Sequence, residues 1–441
     1  MKKLFLILFA VLINISVFSQ DLIYAKSVVQ KLCSPDMAGR GLVAGGDRKA
    51  AYYITSEFEK FGLLAFDTIY DGYKQPQKQF DQYFKIKGNT FPEKVSIVLD
   101  GKITLVPGED YMISPSSGDT RNKLLDIVYL TKEDIKNEKN FDLFLYKDYV
   151  SKCLVIDRDE FDKIKDIKLN EFYMRALANE QKADAMIFLE TSKKLTWGFS
   201  STFDKYPTVY ILKSKLPTSA KRMELIVEKK VYYDYETQNV VGYVKGKKYP
   251  NKFIVIGAHY DHLGMMGSKA MFPGANDNAS GVALMMDLAR FYAKPENQPD
   301  FTMVFIAFGA EEAGLLGSRF FVEYPKVPLT DIRFMINLDL LGTGEKGLMV
   351  VNATAYPEEF NMLKSINSTQ KYVTDIQSRP PAAISDQAPF YQKGVSSFYF
   401  YLMGDYPYYH DVNDKFENLS FAGYDGTYKL ISDFVAGLQP K

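Results

Sequence analysis

The stretch from Ile254 to Glu312 decides how the rest of the chain is read: IVIGAHYDHLG from Ile254, PGANDNASGVALMMDLARFYAK from Pro273, and FTMVFIAFGAEEAGLLGS from Phe301. Two apolar runs, Phe253 to Ala258 and Phe301 to Phe308, have the length and the β-branched or aromatic content of strands buried on both faces, as in a parallel sheet. Each run ends in polar residues. His259 and Asp261 follow the first, and Glu311 and Glu312 follow the second. Between them Asp277 stands just before an apolar-periodic helix that begins near Ser280. Ligands of open parallel sheets gather beyond the carboxyl ends of the strands, and that is where these side chains fall.

Outward from this stretch the same alternation continues. RFMINLDLLG is a strand ending at Asp339, GLMVVN is another, PEEFNMLKSIN is a helix opened by Pro357, and SSFYFYL is the last apolar strand. The loop GDYPYYHDVNDKFENL then brings in His410, and Phe421 to Leu438 closes the chain as a helix. On the amino-terminal side, Asp21 to Gly62 reads as two helices around a glycine-rich turn. Short alternating strands follow to about Met112, and MELIVEKKVYYDYETQNVVGYVKG leads into the strand at Ile254. Residues 113–221 differ in character: strand-like runs alternate with charged helical segments and carry no metal-like or triad-like constellation.

The expected fold is therefore α/β, a mostly parallel mixed sheet with helices on both faces, interrupted by an inserted, β-rich α/β domain. The expected division is 1–20 signal peptide, 21–112 first part of the catalytic domain, 113–221 insert framing a cleft, and 222–441 the main catalytic part. The leader reading rests on Lys2 and Lys3 ahead of the apolar run Leu4 to Val17, with small Ser19 behind it; cleavage near Ser19 or Gln20 is expected. The run is short for a membrane span, and no cysteine follows it to carry a lipid. A mature protein outside the cytoplasm, periplasmic or secreted and without stable membrane insertion, is the expectation. Net formal charge is zero, so nothing electrostatic points to nucleic acid. An oxidising compartment permits a bridge between Cys33 and Cys153, but spacing alone does not place them together, and Cys153 in KCLVID reads as a buried free thiol.

The chain has only three histidines, His259, His262 and His410, all in the part assigned to chemistry. Catalytic zinc takes imidazole and carboxylate ligands and keeps one position open for water. If His259 binds one ion and His410 a second, Asp277 can bridge, with Glu312 and Asp339 completing the two shells. Two such ions, about 3.5–4 Å apart, act together on one water and one carbonyl. Glu311 is then free to serve as base. Singly, each residue has a plainer reading: Asp277 in NDNAS as a helix cap, Glu311–Glu312 as a solvated helix start, His262 as a loop or pocket residue. Their coincidence at successive strand ends carries the argument.

GAHYDHLG, PGANDNASGVA, FGAEEAGLLGS, NLDLLG and the late YYH resemble the motif set of the co-catalytic two-zinc aminopeptidase family, whose relatives include glutamate carboxypeptidases, glutaminyl cyclases and the transferrin receptor ectodomain. The resemblance covers Asn239 to Leu438 strongly and Asp21 to Gln75 weakly. It implies a zinc aminopeptidase-like (phosphorylase/hydrolase-like) fold and two Zn2+ per chain, with His259, Asp277, Glu312, Asp339 and His410 as ligands and Asp277 bridging. It also implies Glu311 as general base, Asp261 orienting His259 through a hydrogen bond, and Tyr409 helping to hold the substrate carbonyl oxygen. The bond Asp277–Asn278 is expected to be cis, and the insert resembles a protease-associated domain. One departure stands out: Gln387 in SDQAPF occupies a place where many relatives carry histidine.

The activity expected is removal of the first residue of peptide substrates, since an acidic metal cluster attracts a free α-amino group. A cyclase would keep the fold with one working zinc, and a carboxypeptidase would need a cation for the terminal carboxylate, for which Arg379 is the candidate. A non-catalytic binding ectodomain would be expected to have lost ligands, and none is missing.

Overall fold

Along the strand Tyr249–His259, Ile254, Ile256 and Ala258 enter one apolar cluster while Phe253 and Val255 enter another. The neighbouring strand Phe301–Phe308 divides in the same way, with Met303, Phe305 and Ala307 on one side and Val304, Ile306 and Phe308 on the other. Both faces are covered, which is why these segments read as continuous apolar runs rather than alternating ones. The computed structural model describes residues 21–69 and 77–440; the leader reading over residues 1–20 lies outside the described residues.

These two strands sit inside an eight-stranded mixed sheet. Tyr249–His259 is parallel to Phe301–Phe308 on one side and to Ile332–Leu338 on the other, and Ser397–Leu402 continues the parallel set. Lys230–Val244 and Asp81–Thr90 extend one edge antiparallel, and Leu348–Val351 and Ile376–Arg379 form the other. On one face lie the helices Leu22–Leu32, Gly46–Phe61, Ser280–Tyr292 and Tyr424–Leu438, all contributing to a single core. The shorter helices Leu316–Glu323 and Gln387–Gln392 cover the other face through Phe321 and Phe390. Ser280–Tyr292 is apolar nearly all round because it lies between the sheet and the terminal helices; Val282, Leu284, Met285, Met286 and Leu288 are all fully buried. Each such side chain contributes roughly 1.5–3 kcal/mol by transfer from water, so packing anchors this helix and the loop at its start.

Register brings the chemistry into line. Ala258 lies opposite Ala307 and His259 opposite Phe308, while Gly257 lies opposite Asn337. His259 and Asp339, each two residues beyond that last pair, leave the sheet at the same level, and Glu311 and Glu312 follow Phe308 in the adjacent loop.

The second eight-stranded sheet belongs to the insert. Its central strands Thr120–Tyr129, Lys152–Asp157, Ala185–Glu190 and Thr208–Leu212 are parallel. Its outer strands come from beyond the expected limits of 113 and 221: Val95–Leu99, Ile103–Thr104 and Tyr111–Ile113 enter before it, and Arg222–Val227 closes it. Short alternating strands look alike whichever sheet they join, so the place where the chain changes sheets is set by pairing. No helix among the described residues is long and apolar enough to cross a membrane. Cys33 and Cys153 are both free thiols, so the permitted bridge is not formed.

Candidate active site

The residues at the strand ends converge. His259 Nε2 lies 3.3 Å from Asp277 Oδ1 and 3.3 Å from Asp339 Oδ1. On the far side of the same aspartate, His410 Nε2 lies 3.3 Å from Asp277 Oδ2 and 3.2 Å from Glu312 Oε2. Asp277 therefore stands between two clusters and presents one oxygen to each. His262 joins the second cluster through Nδ1, 2.8 Å from Glu312 Oε1. Ligand atoms within 4.8 Å of one another group His259, Asp277 and Asp339, and again His262, Asp277 and Glu312.

The two imidazoles nearest Asp277 are held alike. His259 Nδ1 is 3.2 Å from the carbonyl oxygen of Asp261, and His410 Nδ1 is 2.9 Å from the carbonyl oxygen of Trp197. A carbonyl only accepts, so in both rings Nδ1 carries the hydrogen and Nε2 is the atom turned to the carboxylates. His262 is held differently: it meets Glu312 through Nδ1, and its buried Nε2 has no partner among the described residues.

Asp261 holds something other than the ring it was expected to orient. Its carboxylate is 3.8 Å from His259 Nδ1, beyond hydrogen-bond range, and it accepts instead from the backbone N–H groups of Glu311 (3.0 Å) and Glu312 (3.2 Å). The physical reason is proximity of loops. Asp261 leaves the His259 strand beside the turn that follows Phe308, and its charge is spent on two free amides there. Its backbone carbonyl does the orienting.

Arg40 and Asp414, which the motif pattern did not single out, build the Asp277 loop together with Asn278. Arg40 is fully buried, and its guanidinium donates to the carbonyls of Tyr260 (2.7 Å), Leu32 (3.0 Å), Pro273 (2.6 Å), Gly274 (2.7 Å) and Asp277 (3.3 Å). Asp414 accepts from the backbone N–H groups of Asn276 (2.8 Å) and Asp277 (3.0 Å) and from the Tyr406 hydroxyl (2.6 Å). Asn278 donates to the Leu338 carbonyl at 2.9 Å and accepts from Gly281 N at 3.0 Å, tying the loop to the Asp339 strand. Gly281 permits this contact, since a Cβ there would lie 2.3 Å from Asn278 Oδ1 and 2.4 Å from the Leu338 carbonyl oxygen. The Asp277–Asn278 peptide is cis. Behind Asp339, Ser385 donates to Asp339 Oδ2 (2.8 Å) and accepts from Asn337 (2.8 Å). Arg40 sits in a glycine-rich turn and Asp414 in an Asn/Asp-rich loop, local patterns shared by many surface turns, whereas Asn278 and Ser385 lie inside the quoted stretches PGANDNASGVA and SDQAPF. Gln387 is buried and donates to the Ala382 carbonyl at 2.8 Å.

Electrostatically the cluster is crowded with acid. Burial pushes the Glu311 carboxyl well above the usual carboxylate range, and Glu312, Asp386 and Asp339 add to this against the opposing pull of His259. Burial likewise pushes Asp261 up to about 7 and Asp386 up to about 7. For Asp277, burial acts upward but is outweighed by hydrogen bonds from His259 and His410, which hold it well below its ordinary value. Imidazole nitrogens and carboxylate oxygens, no sulfur, and an excess of negative charge gathered around one shared carboxylate fit two zinc ions. Tyr409, half-exposed, stacks its ring on His410 with centroids 3.9 Å apart.

All five expected ligands and Glu311 are thus brought to one place, within residues 239–435, which match the model of peptidase family M28. This match takes in a little under half of the chain. Among similar proteins, the aminopeptidase YwaD of Bacillus subtilis (strain 168) is 32% identical over 227 residues, 48% of this chain and 47% of that protein, so the match spans about half the length of that relative. Among solved structures, BSAP, described as a zinc aminopeptidase from Bacillus subtilis, superposes with a TM-score of 0.67 at 22% identity, covering 95% of each chain. A peptidase M28 precursor from Shewanella amazonensis SB2B gives 0.60 at 16% identity, covering 96% of this chain and 98% of that one. At these identities the structural likeness speaks for a shared M28 fold.

Proposed function

We propose that this protein is an M28 peptidase, an exported two-zinc aminopeptidase that hydrolyses the first peptide bond of peptide substrates. The observation that carries the reading is Asp277, whose two carboxylate oxygens face His259 on one side and His410 on the other, each at 3.3 Å. His259, Asp277 and Asp339 would hold one ion, and Asp277, Glu312 and His410 would hold the other. Zinc in such a site supplies Lewis acidity, lowering the pKa of water and polarising the scissile carbonyl.

The protein's own groups do the rest. Glu311 is not among the ligands, and burial beside Glu312, Asp386 and Asp339 raises its proton affinity. It takes the proton of the attacking water and returns it to the leaving amine nitrogen. Asp261 grips the amides of both Glu311 and Glu312, so base and ligand keep a constant separation during turnover. The Tyr409 phenol, kept protonated by burial and by the acids around Asp277 and Glu312, donates to the carbonyl oxygen as charge builds on it. The carboxylates favour a substrate whose free α-ammonium is next to the scissile bond. The apolar run behind Lys2 and Lys3 supports export, and the insert, read as protease-associated-like, walls the cleft.

The test pairs a metal count by mass spectrometry with cleavage of one peptide in three forms. Two zinc ions per chain, cleavage stopped by acetylating the amine and untouched by amidating the carboxyl end are expected. Cleavage stopped by amidation alone would replace this reading with a carboxypeptidase, and one zinc under saturating metal with cyclised product would replace it with a cyclase. Arg379, the cation a carboxypeptidase would use, donates to the Tyr401 hydroxyl at 3.2 Å.

A further inference from the structure

His259 takes its orienting carbonyl from its own loop, but His410 takes one from the insert. The segment between the strands Ala185–Glu190 and Thr208–Leu212 leaves the insert's sheet and reaches the His410 loop. There Trp197 makes a reciprocal pair of hydrogen bonds: its carbonyl accepts from His410 Nδ1 (2.9 Å) and its N–H donates to the His410 carbonyl (3.1 Å). Lys194 adds bonds from Nζ to the carbonyls of Pro407 and, at 3.3 Å, Tyr409.

We propose that the insert is an integral part of the metal site, with Trp197 as the positioning residue that fixes which nitrogen of His410 faces Asp277 and Glu312. The proposal rests on reading His410 as a metal ligand and extends it to a residue outside the matched span 239–435. Three features support it. His410 has φ +52°, a left-handed conformation uncommon for a non-glycine residue, so something outside its own backbone has to hold it there. The pair of bonds to Trp197 does so from both sides of the residue. Trp197 is itself immobilised: it is 8% exposed, its Nε1–H donates to the Ile113 carbonyl at 2.7 Å, and its indole stacks on Phe272 with centroids 4.8 Å apart. Phe272 immediately precedes the Pro273–Gly274 carbonyls that Arg40 grips at the start of the Asp277 loop. One indole therefore braces the His410 loop against the strand that leads to the bridging aspartate.

With only three histidines in the chain, 15N-histidine labelling resolves each ring. The expected result in the wild type, metal-free or zinc-loaded, is a His410 hydrogen on Nδ1 that exchanges slowly with solvent. Trp197→Ala is expected to speed that exchange and to weaken zinc at the site containing His410 by about 10–100-fold in chelator competition, with the His259–Asp339 site retained. Trp197→Phe, which keeps the stacking, is expected to stay within a few fold of wild type. A folded Trp197→Ala protein with both zinc affinities and the Nδ1 exchange unchanged would overturn the proposal. So would a wild-type His410 whose hydrogen sits on Nε2 in the zinc-loaded protein, a result that stands even where Trp197→Ala does not fold. A wild type that binds no zinc would instead overturn the proposed function, and the ring-proton measurement on the metal-free protein then still decides the role of Trp197.

Discussion

At the scale of single residues, neighbouring acids in this site are separated by what their environment asks of them. Glu312 meets two imidazoles, while Glu311, one residue earlier, meets none at ligand distance and is left with a raised proton affinity. Glu311→Gln is accordingly expected to bind both metals and to lose about 100- to 10,000-fold in kcat, read by comparing metal content with turnover; near-normal turnover in a fully loaded variant would remove Glu311 from the mechanism. Asp386 makes a second case. It is fully buried, neither carboxylate oxygen has a hydrogen-bond partner among the described residues, and the Ser318 hydroxyl beside it is engaged with the Leu315 carbonyl. Burial raises it from 3.8 to about 7, so the folded state holds a proton that the unfolded chain releases. Its contribution to stability is present below the unfolded value and is lost as pH rises toward 7. In chelated protein, Asp386→Asn should therefore gain on the wild type in urea midpoint as pH climbs from about 4 to 7 and hold that gain above it. Parallel midpoint–pH curves for the two proteins would count against this.

At the scale of elements, the site is a set of loops tied to one another rather than to the sheet alone. Arg40, in the turn before the helix Gly46–Phe61, joins the carbonyls of five residues from three segments. A planar guanidinium does this in one plane with five donors, whereas a lysine ammonium has three donors on one atom. Arg40→Lys is expected to lower stability by roughly 1–3 kcal/mol for each carbonyl left unpaired and to weaken zinc binding through the displaced Asp277 loop. Denaturant unfolding and chelator competition on the same preparation would measure both, and wild-type values in the two assays would show that Arg40 is not a brace. The insert's segment at Trp197 does the corresponding work for the His410 loop, so the two halves of the site depend on different parts of the chain.

At the scale of the whole molecule, four separate strand ends, an amino-terminal turn and an inserted domain meet at one cluster of acids. Their repulsion opposes folding until cations relieve it, and ions that bind only the folded state stabilise it by mass action, ~4 kcal/mol at a thousandfold excess over Kd. Chelation is therefore expected to lower Tm and stoichiometric zinc to restore it, with Asp277→Asn blunting the recovery more than substitution of any one other ligand, because Asp277 serves both clusters. A Tm indifferent to chelator would be incompatible with that coupling.

The two apolar runs ending at Ala258 and Phe308 reveal a doubly covered parallel sheet in the sequence itself, because burial on both faces leaves Thr302 as the one polar side chain in either run. The meeting of His259, Glu311, Glu312 and Asp339 is legible too, since each follows such a run and strand ends in this architecture share one edge; Asp277, ahead of the helix at Ser280, and His410, in the loop after the last strand, are marked by their motifs instead. The sheet boundary at Val95 and Val227 was not legible, because an alternating strand carries no mark of its partner. Nor were Arg40, Asp414 and Trp197, whose parts in the site are played through backbone atoms tens or hundreds of residues away. Asp261 shows the division within one residue: its position beside His259 is written in the chain, but whether its carboxylate or its carbonyl faces the ring depends on which loop packs against it. Side-chain chemistry and burial pattern are local properties of the sequence, whereas the partner of a buried polar atom is a property of packing.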